Sequence, residues 1–394
     1  MTGILDLYTD CLIGSVGLVT ASSSSKILGI SKDKISRFLG GVKVFTVNQI
    51  IGNENEVGDG IGVITKQKGS VKDHITFNNQ DLWKEVKSDI RSSEKIEPAT
   101  LVVDDTIIHK PYSDENDIVC YHFDHCSGTY TKGINLLNGG LFYESQDKYI
   151  PIFAEIISKT EKFTDKDGKE KRRSKISKNE LFQLNFNQVM KNHIKLDYTL
   201  FDIWFGSVDN LNFIQAHRQS YICPLKSNRK LALSINEKKQ GKWYKLEEIT
   251  DRLETQQTLP VWLEGSTHMS YLTKQIFTNK DGTKVTMYLI TNDQNLTKDQ
   301  INTIYHRRWK VEEFHKSLKS NLGLEKSPTK NKTSQSNHIF CTILSFFKLE
   351  ILLKNTTFTN HFQLKQSILI KALQATHQEL QRLKLGQEPS GCER

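Results

Sequence analysis

The sequence is poor in cysteine and has no long apolar run, and these two absences narrow what the chain can be. Six cysteines are scattered over 394 residues, so they do not form the dense framework of a small disulfide-stabilised secreted domain. No apolar run approaches the ~20 residues that a membrane-spanning helix needs. The apolar segment 11–20 follows Asp6 and Asp10 rather than the positive region of a signal peptide. Internal repeats are also absent. Because the cysteines are scattered and neither a membrane span nor a signal peptide is found, we expect a cytosolic globular protein.

Acidic residues are fewer than basic ones, and this imbalance indicates a class of partner. The chain has 54 Lys and Arg against 45 Asp and Glu, a formal net charge of +9 and a pI of about 9.0. Hydrophobic residues make up 37% of the chain, and its length allows two or three domains with substantial cores. A basic globular protein favours a polyanionic partner, most often nucleic acid.

The most informative stretch is 305–319, which reads YHRRWKVEEFHKSLK. Together with its flanks it predicts one helix over about residues 298–322. At ~100° per residue, four polar side chains fall in one narrow band: Tyr305, Arg308, Glu312 and Lys319. Five apolar side chains form a second band that faces the core: Ile304, Val311, Phe314, Leu318 and Leu322. A carboxylate, two cations and a phenol therefore share one ridge beside a buried face.

Aspartates close two apolar strands upstream of this helix. Residues 101–103 read as a strand buried on both faces and run into Asp104 and Asp105, while residues 198–201 run into Asp202. A carboxylate beside a buried strand is costly unless it is paired or bound to a metal ion. Capping of the following turn is the alternative interpretation for each. The alternation of side chains along a strand does not decide between Asp104 and Asp105.

The spacing of Tyr305, Arg308, Glu312 and Lys319 resembles the YREK signature of bacterial insertion-sequence transposases with a DDE active site. The resemblance implies an α/β (α+β) fold with a ribonuclease-H-like mixed sheet flanked by helices. It also implies a β-rich insertion before the glutamate helix and an N-terminal helical DNA-binding region.

The same resemblance implies a catalytic site. In this family the first aspartate directly precedes Thr or a small residue, so Asp105, Asp202 and Glu312 are the expected catalytic carboxylates and ligands of two Mg²⁺ (or Mn²⁺) ions, with Asp104 in reserve. Tyr305, Arg308 and Lys319 are expected to contact DNA phosphates.

Four segments follow from the resemblance and from changes in composition along the chain. We expect an N-terminal helical DNA-binding region at 1–95, the first part of the catalytic core at 96–210, the insertion at 211–295, and the second part of the core with C-terminal helices at 296–394.

Other segments offer further DNA contacts. Residues 20–40 read as helix, tight turn and helix, and a helix-turn-helix would offer Lys34 and Arg37 to DNA, although a plain helical hairpin fits equally well. Lys330 and Lys332 lie in a polar, basic stretch after the signature helix. The charge run at 158–180 is either a solvated loop or a phosphate-contacting arm.

For two groups of residues we prefer a structural interpretation over a functional one. Cys120, His122, His125 and Cys126 lie close in sequence, but no second pair with zinc spacing follows them. Trp243 and Trp262 in the predicted insertion are possible base-stacking residues, while core packing is the more common role of tryptophan.

Three functions remain open at this level. The first is cut-and-paste transposition, in which a homodimer binds the terminal inverted repeats of double-stranded DNA in the bacterial cytoplasm, associated with the nucleoid. The second is a related metal-dependent nuclease without strand transfer. The third is a helix-turn-helix regulator whose carboxylates are structural, and such a protein would tolerate loss of Asp202.

Overall fold

The computed structural model describes residues 3–46, 70–74, 76–124, 128–250, 253, 258–278 and 281–386. The helices of this part of the chain are α1 (Ile4–Gly14), α2 (Ala21–Leu28), α3 (Lys32–Leu39), α4 (Asn79–Ser93), α5 (Lys178–Lys191), α6 (Val208–Ala216), α7 (Ile235–Lys239), α8 (Lys298–His306), α9 (Trp309–Ser320), α10 (Lys332–Lys354) and α11 (His361–Lys384). The strands are β1 (Val42–Thr46), β2 (Ser70–His74), β3 (Ala99–His109), β4 (Cys120–Asp124), β5 (Thr129–Tyr143), β6 (Lys148–Ile156), β7 (Glu161–Thr164), β8 (Glu170–Arg173), β9 (Leu196–Phe201), β10 (Ser220–Pro224), β11 (Lys230–Ala232), β12 (Tyr244–Lys245), β13 (Thr258–Leu263), β14 (Ser270–Thr278) and β15 (Lys284–Thr291).

A mixed sheet built around β3 is the centre of the molecule. On one side β3 pairs with β5 in antiparallel register, and β5 pairs in turn with β6 and β4. On the other side β3 pairs in parallel with β9, and β9 with β10. The parallel pairs require helical crossovers, which α5 and α6 supply. This sheet, flanked by helices, confirms the expected mixed α/β architecture.

The predicted insertion extends this sheet instead of forming a separate one. β15 pairs antiparallel with β10, and the order continues through β14, β13, β11 and β12 to give eleven strands. β14 and β15 form an antiparallel hairpin, in which Tyr271 pairs with Thr291 and Thr278 with Lys284. The insertion is therefore connected to the catalytic region by continuous backbone hydrogen bonding.

The helix pair predicted near residues 20–40 is confirmed and its caps are visible. At the start of α2 the Thr20 hydroxyl accepts a hydrogen bond from the Ser23 amide, and at the start of α3 the Ser31 hydroxyl accepts one from the Lys34 amide. Gly29, which ends α2, takes the left-handed conformation with φ 63°. The apolar side chains of α3 face the core, with Ile35 fully buried. Residues 47–69, which are rich in Gly and Asn, lie outside the described residues.

The N-terminal helices pack on α10, close to the C-terminal end of the fold. The Tyr8 hydroxyl lies 3.0 Å from His338 Nδ1, Asn337 donates to the Leu39 carbonyl, and Lys348 pairs with Asp6 and Asp10. The segment boundaries expected from sequence remain a prediction, but residues 3–40 share their core with α10.

Helix α10 has 23 residues. It is longer than the strongly apolar stretch of the sequence that it contains, which spans about sixteen residues from Phe340. Among the described residues it is the one helix whose length and composition would allow a membrane crossing, yet 67% of its most apolar window is buried. It lies against β6 and α1, as expected for a core helix.

The single helix predicted over 298–322 is wrong in one respect: α8 and α9 are separate. The amides of Arg307 and Arg308 bond to the carbonyls three residues earlier, as do those of Lys310 and Val311. A mid-helix stretch of this tighter bonding indicates a local constraint. The constraint here is the anchoring of Arg307 and Arg308 in different ion pairs, which periodicity cannot predict.

Two adjacent glycines in β5 let aromatic rings lie directly on the sheet. A Cβ atom at Gly139 would lie 2.3 Å from the Phe153 ring, and one at Gly140 would lie 2.1 Å from the Tyr149 ring. Tyr149 is also packed against Phe314 of α9, with ring centroids 5.2 Å apart. Glycine at these positions therefore helps to set the distance between the sheet and α9.

We predict that Gly140→Ala lowers the free energy of unfolding by about 1–3 kcal/mol, because Tyr149 is buried and has no room to move away. Gly14→Ala at the end of α1, where an added Cβ meets nothing within 4 Å, is the matched control and should be neutral or slightly stabilising. Urea unfolding measures both. Equal midpoints for the two variants would contradict this account of the glycine pair.

Candidate active site

The predicted acidic residues lie on two neighbouring parallel strands, next to the point where β9 ends; β3 does not end at its aspartates, contrary to the expectation from sequence, but continues to His109. Val103 of β3 is in register with Phe201 of β9, so Asp104 and Asp202 follow on neighbouring strands. Glu312 lies in the first turn of α9, which packs on β3 and β5. Two strands and one helix therefore bring together carboxylates that are separated by about a hundred residues each along the chain.

Asp104, and not Asp105, faces Glu312. A carboxylate oxygen of Asp104, one of Glu312 and a ring nitrogen of His315 all lie within 4.8 Å of one another. Successive side chains of a strand point to opposite faces, and Asp105 accordingly pairs with Lys178 at 2.7 Å. The expected first ligand, Asp105, thus points away from Glu312, and the geometry favours the reserve candidate.

Arg308 lies between the two carboxylates. Its Nη1 atom is 3.1 Å from Asp104 Oδ2 and 3.3 Å from Glu312 Oε1. The Arg308 side chain is 18% exposed and that of Asp104 is 12% exposed, so the pair is largely removed from water. Without such a cation, the buried carboxylate of Asp104 and the partly exposed one of Glu312 would repel each other. Arg308 is therefore the internal counter-ion of the site.

The raised pKa values of Asp104 and Asp202 show that negative charge on these carboxyl groups is unfavourable. Burial, and after it the charge of Asp202, raise the pKa of Asp104 to about 8, while Arg308 acts in the opposite direction. Burial and the charge of Asp105 raise the pKa of Asp202. Strongly perturbed carboxyl groups that cluster at a sheet edge are typical of functional sites, because a bound cation relieves the repulsion.

Asp202 also serves the turn in which it lies. One of its carboxylate oxygens accepts the amides of Trp204 and Phe205 at 3.0 and 3.3 Å. Phe205 is fully buried, and Asn210 donates to its carbonyl. The capping role that we considered for this aspartate is thus real. It fixes the carboxylate beside the other acidic groups and does not exclude a role at the site.

His315 and Asn138 form a buried, hydrogen-bonded polar pair beside Asp104, and neither residue was expected at the site from sequence. Asn138 is in register with Asp104 across the β3–β5 pair, and its Nδ2 lies 2.8 Å from His315 Nε2. Burial lowers the pKa of His315 to about 3, so the ring is neutral. His315 lies three residues after Glu312, a helical spacing that could have revealed it. Asn138 offered no sequence signal.

Tyr305 lies beneath the site. Its ring is 9% exposed, and its hydroxyl points to the Phe201 carbonyl at 3.5 Å. The neighbouring Arg307 fixes the helix junction through Asp197 and Glu144, at 2.7 and 2.5 Å. Tyr305 thus supports the end of β9 and the base of Arg308, and its burial does not favour the expected contact with DNA.

The other residues expected to contact DNA are spread over the surface. Lys319 donates to the Ile107 carbonyl at 2.8 Å, close to the site. Lys330 is 3.3 Å from Asp114, and Lys332 begins α10. Lys34 is exposed on α3, where Arg37 pairs with Asp33. Only Arg308 and Lys319 of this set contact residues of β3.

The predicted charge run at 158–180 contains the hairpin β7–β8, and ion pairs hold many of its cations. Lys162 pairs with Glu170, Lys171 with Asp165, and Arg173 with Glu161, at 2.9, 2.6 and 2.9 Å. Exposed pairs of this kind are weak, so phosphates could compete for these cations. The structure thus shows an ordered hairpin where we had considered a loop or an arm.

The tryptophans and the cysteine–histidine cluster also have clear placements. Trp243 and Trp262 are partly buried, and the Lys238 ammonium lies 4.0 Å from the Trp262 ring centroid. The exposed tryptophans near the site are Trp204, 49% exposed, and Trp309, 57% exposed. Of the cluster near residue 120, Cys120 and His122 are buried on β4, while residues 125 and 126 lie outside the described residues.

A comparison with protein families now adds to this geometry. The family model of the transposase DDE domain matches residues 174–347. This part of the chain is therefore similar to a transposase DDE domain. The match includes Asp202, Arg308 and Glu312 but begins after β3, so it does not choose between Asp104 and Asp105 and does not test the four-residue signature. A comparison with curated proteins finds no match.

Similarity to the transposase DDE domain indicates a nucleic-acid-cleaving enzyme. Transposases of this family generally use a divalent metal ion, and the group of Asp104, Glu312 and His315 is an acidic cluster of suitable size among the described residues. The two carboxylates supply the hard oxygen ligands that such ions prefer. The cluster, with Asp202 beside it, therefore fits a divalent cation.

We predict that Asp104→Asn stabilises the metal-free protein increasingly as the pH rises. The native pKa of about 8 lies above that of an unfolded aspartate, so the native state binds the proton more tightly and loses stability between about pH 4 and pH 8. Asparagine removes that loss. Urea unfolding from pH 5 to pH 9 measures it, with the wild type as the reference. A constant difference across pH would contradict the prediction.

Proposed function

We propose that this protein is an insertion-sequence transposase that cleaves double-stranded DNA at terminal inverted repeats and joins the ends to target DNA in a cut-and-paste reaction. The observation that carries the proposal is that Asp104 lies beside Glu312, with Asp202 close to Asp104 after the end of the neighbouring strand, in a chain that matches the transposase DDE domain over residues 174–347. Its place of action would be the bacterial cytoplasm at the nucleoid, in keeping with the net positive charge.

Asp104, Asp202 and Glu312 are the proposed ligands of two Mg²⁺ or Mn²⁺ ions. Bound divalent ions would activate the attacking hydroxyl and neutralise charge on the phosphate and the leaving oxygen. The buried ring of His315 is neutral and already contacts Asn138, so we assign it to holding the Asp104 side of the cluster. Asp105 would keep its pairing with Lys178 and orient the start of α5.

Arg308 is proposed to change partners during the reaction. In the free protein its guanidinium neutralises Asp104 and Glu312. A DNA phosphate is an equally good bidentate partner for arginine. Phosphate binding would therefore draw Arg308 away and leave both carboxylates free for cations. The proposal makes DNA binding and metal binding mutually supportive, as thermodynamic linkage requires.

The DNA path is proposed to run over the edge that carries Arg308 and Lys319. Lys330 and Lys332 would follow the backbone beyond α9, and the exposed face of α3 with Lys34 and Arg37 would form a second contact. Two DNA ends must be held together for strand transfer, so we propose a homodimer in the DNA-bound state.

A nuclease without strand transfer is the second candidate, because the same carboxylate cluster would serve hydrolysis. A regulator using the N-terminal helices is disfavoured, since buried carboxylates with raised pKa values, such as Asp104, would be a costly structural device for a protein without chemistry.

The first test is cleavage of the DNA that flanks the chain's own gene, with Mg²⁺ or Mn²⁺. We expect nicks at repeat ends and joined products from the wild type. Asp104→Asn, Asp202→Asn and Glu312→Gln should each lose on the order of 10³-fold or more in cleavage rate, as when one member of a catalytic unit is removed.

Asp105→Asn is the matched control, one residue away on the opposite face, and should keep cleavage within about tenfold of the wild type. Loss of activity in Asp105→Asn with activity retained in Asp104→Asn would overturn the assignment of the first carboxylate. Cleavage without joined products would favour the nuclease, and specific binding without cleavage the regulator.

The second test measures the linkage through Arg308. We expect Arg308→Gln to bind Mn²⁺ more tightly than the wild type in the absence of DNA, because the competing cation is gone, and to bind DNA more weakly. DNA should tighten Mn²⁺ binding by the wild type, and this gain should vanish in Arg308→Gln. Titration followed by electron paramagnetic resonance reports free Mn²⁺. Arg308→Lys keeps the charge and is the control. Identical Mn²⁺ affinities in wild type and Arg308→Gln would refute the exchange.

A further inference from the structure

The outer part of α11 is a helix without a packing partner among the described residues. The helix begins on the core, where His361, Leu364 and Lys365 are buried and Lys365 donates to the carbonyls of Ile13 and Ser15. From residue 370 onwards nearly every side chain is exposed. Isolated helices of this length are marginal in water, so a partner for the outer segment, residues 369–384, would stabilise it.

The apolar side chains of the outer segment have the spacing of a coiled coil. Positions four and three residues apart in strict alternation hold Leu369, Leu373, Thr376, Leu380 and Leu383. Leu373, Leu380 and Leu383 are 66%, 48% and 46% exposed. Such an alternation of four and three defines the a and d positions of a heptad. Ile368, which packs on the core, lies on a different side of the helix, so the seam faces away from the body of the protein.

The charges beside this seam fit a second copy of the same helix. With Leu373 and Leu380 at a positions, Glu379 falls at g and Lys384 at the e position that follows. In a parallel two-stranded coil these positions lie opposite each other across the seam. Glu379, which contacts Arg382 on its own helix, would meet Lys384 of the other copy twice, once on each side of the two-fold axis. Self-complementarity of this kind is what a symmetric dimer requires.

We propose that the outer segment of α11 pairs with the same segment of a second copy in a parallel two-stranded coiled coil. The interface would give a location to the dimer of the proposed function, and it does not depend on the carboxylates. The seam is short, roughly 20 Å at 1.5 Å per residue, and Thr376 places a polar group in it. The free protein would therefore dimerise weakly, and two subunits held on paired DNA ends would associate more strongly through effective concentration.

The test compares oligomeric state by sedimentation over a range of concentrations. We expect the full chain to shift from monomer to dimer, and Leu373→Glu/Leu380→Glu to raise the dissociation constant at least about tenfold. Gln374→Glu/Gln381→Glu adds the same charges at the same spacing on a different side of the helix, and should leave the equilibrium unchanged. Circular dichroism confirms that both variants keep their fold.

A charge exchange tests the direction of pairing. Glu379→Lys and Lys384→Glu should each weaken the dimer, and the double variant should restore it, because the parallel g–e′ pairs are then reversed on both sides. Failure of the double variant to restore dimerisation would overturn the parallel arrangement. A chain that stays monomeric at every concentration, or a dimer that Leu373→Glu/Leu380→Glu leaves intact, would overturn the interface itself.

Failure here is separable from failure of the proposed function. Glu312→Gln should dimerise like the wild type while failing to cleave. Leu373→Glu/Leu380→Glu should still nick single repeat ends, but lose products that require two ends together.

Discussion

The site depends on one unfavourable arrangement that the fold enforces, namely acidic side chains held close to the buried carboxylate of Asp104. Hydrogen bonding of β3 to β9 fixes the separation of Asp104 and Asp202, and the packing of α9 on the sheet brings Glu312 to them. The raised pKa of Asp104 is the sign of that cost. Arg308 offsets the repulsion in the free protein, and cations with DNA would offset it in the working state.

Several contacts around the site keep these carboxylates in place. Arg307 joins the helix junction to Asp197 and Glu144, and the glycine pair of β5 lets Tyr149 pack between the sheet and Phe314 of α9. Asp202 is fixed by the turn that it caps. Contacts of this kind suit a site that must hold its ligands before substrate arrives.

The mixed α/β class of fold was expected from the family resemblance, and the candidate acidic residues from local patterns, namely aspartates that follow apolar segments and a helix with a polar ridge. The choice between Asp104 and Asp105 could not be predicted, since it depends on which face of β3 receives α9. The break between α8 and α9 was missed for a similar reason: residues far away in sequence, such as Asp197 and Glu144, pull on Arg307. Tyr305 matched a signature by spacing, yet its burial is decided by the end of β9.

The packing of α1 and α3 on α10 has a practical consequence. Asn337 and His338 of α10 bond to Leu39 and Tyr8, and Lys365 closes the end of α1. A shortened protein lacking the first forty residues would leave one flank of α10 bare, with Leu344 and Phe347, which lie beside Leu5 and Thr9, facing water. Such a fragment would aggregate, so DNA recognition by the amino-terminal helices is better dissected by surface point substitutions than by cutting the polypeptide in two.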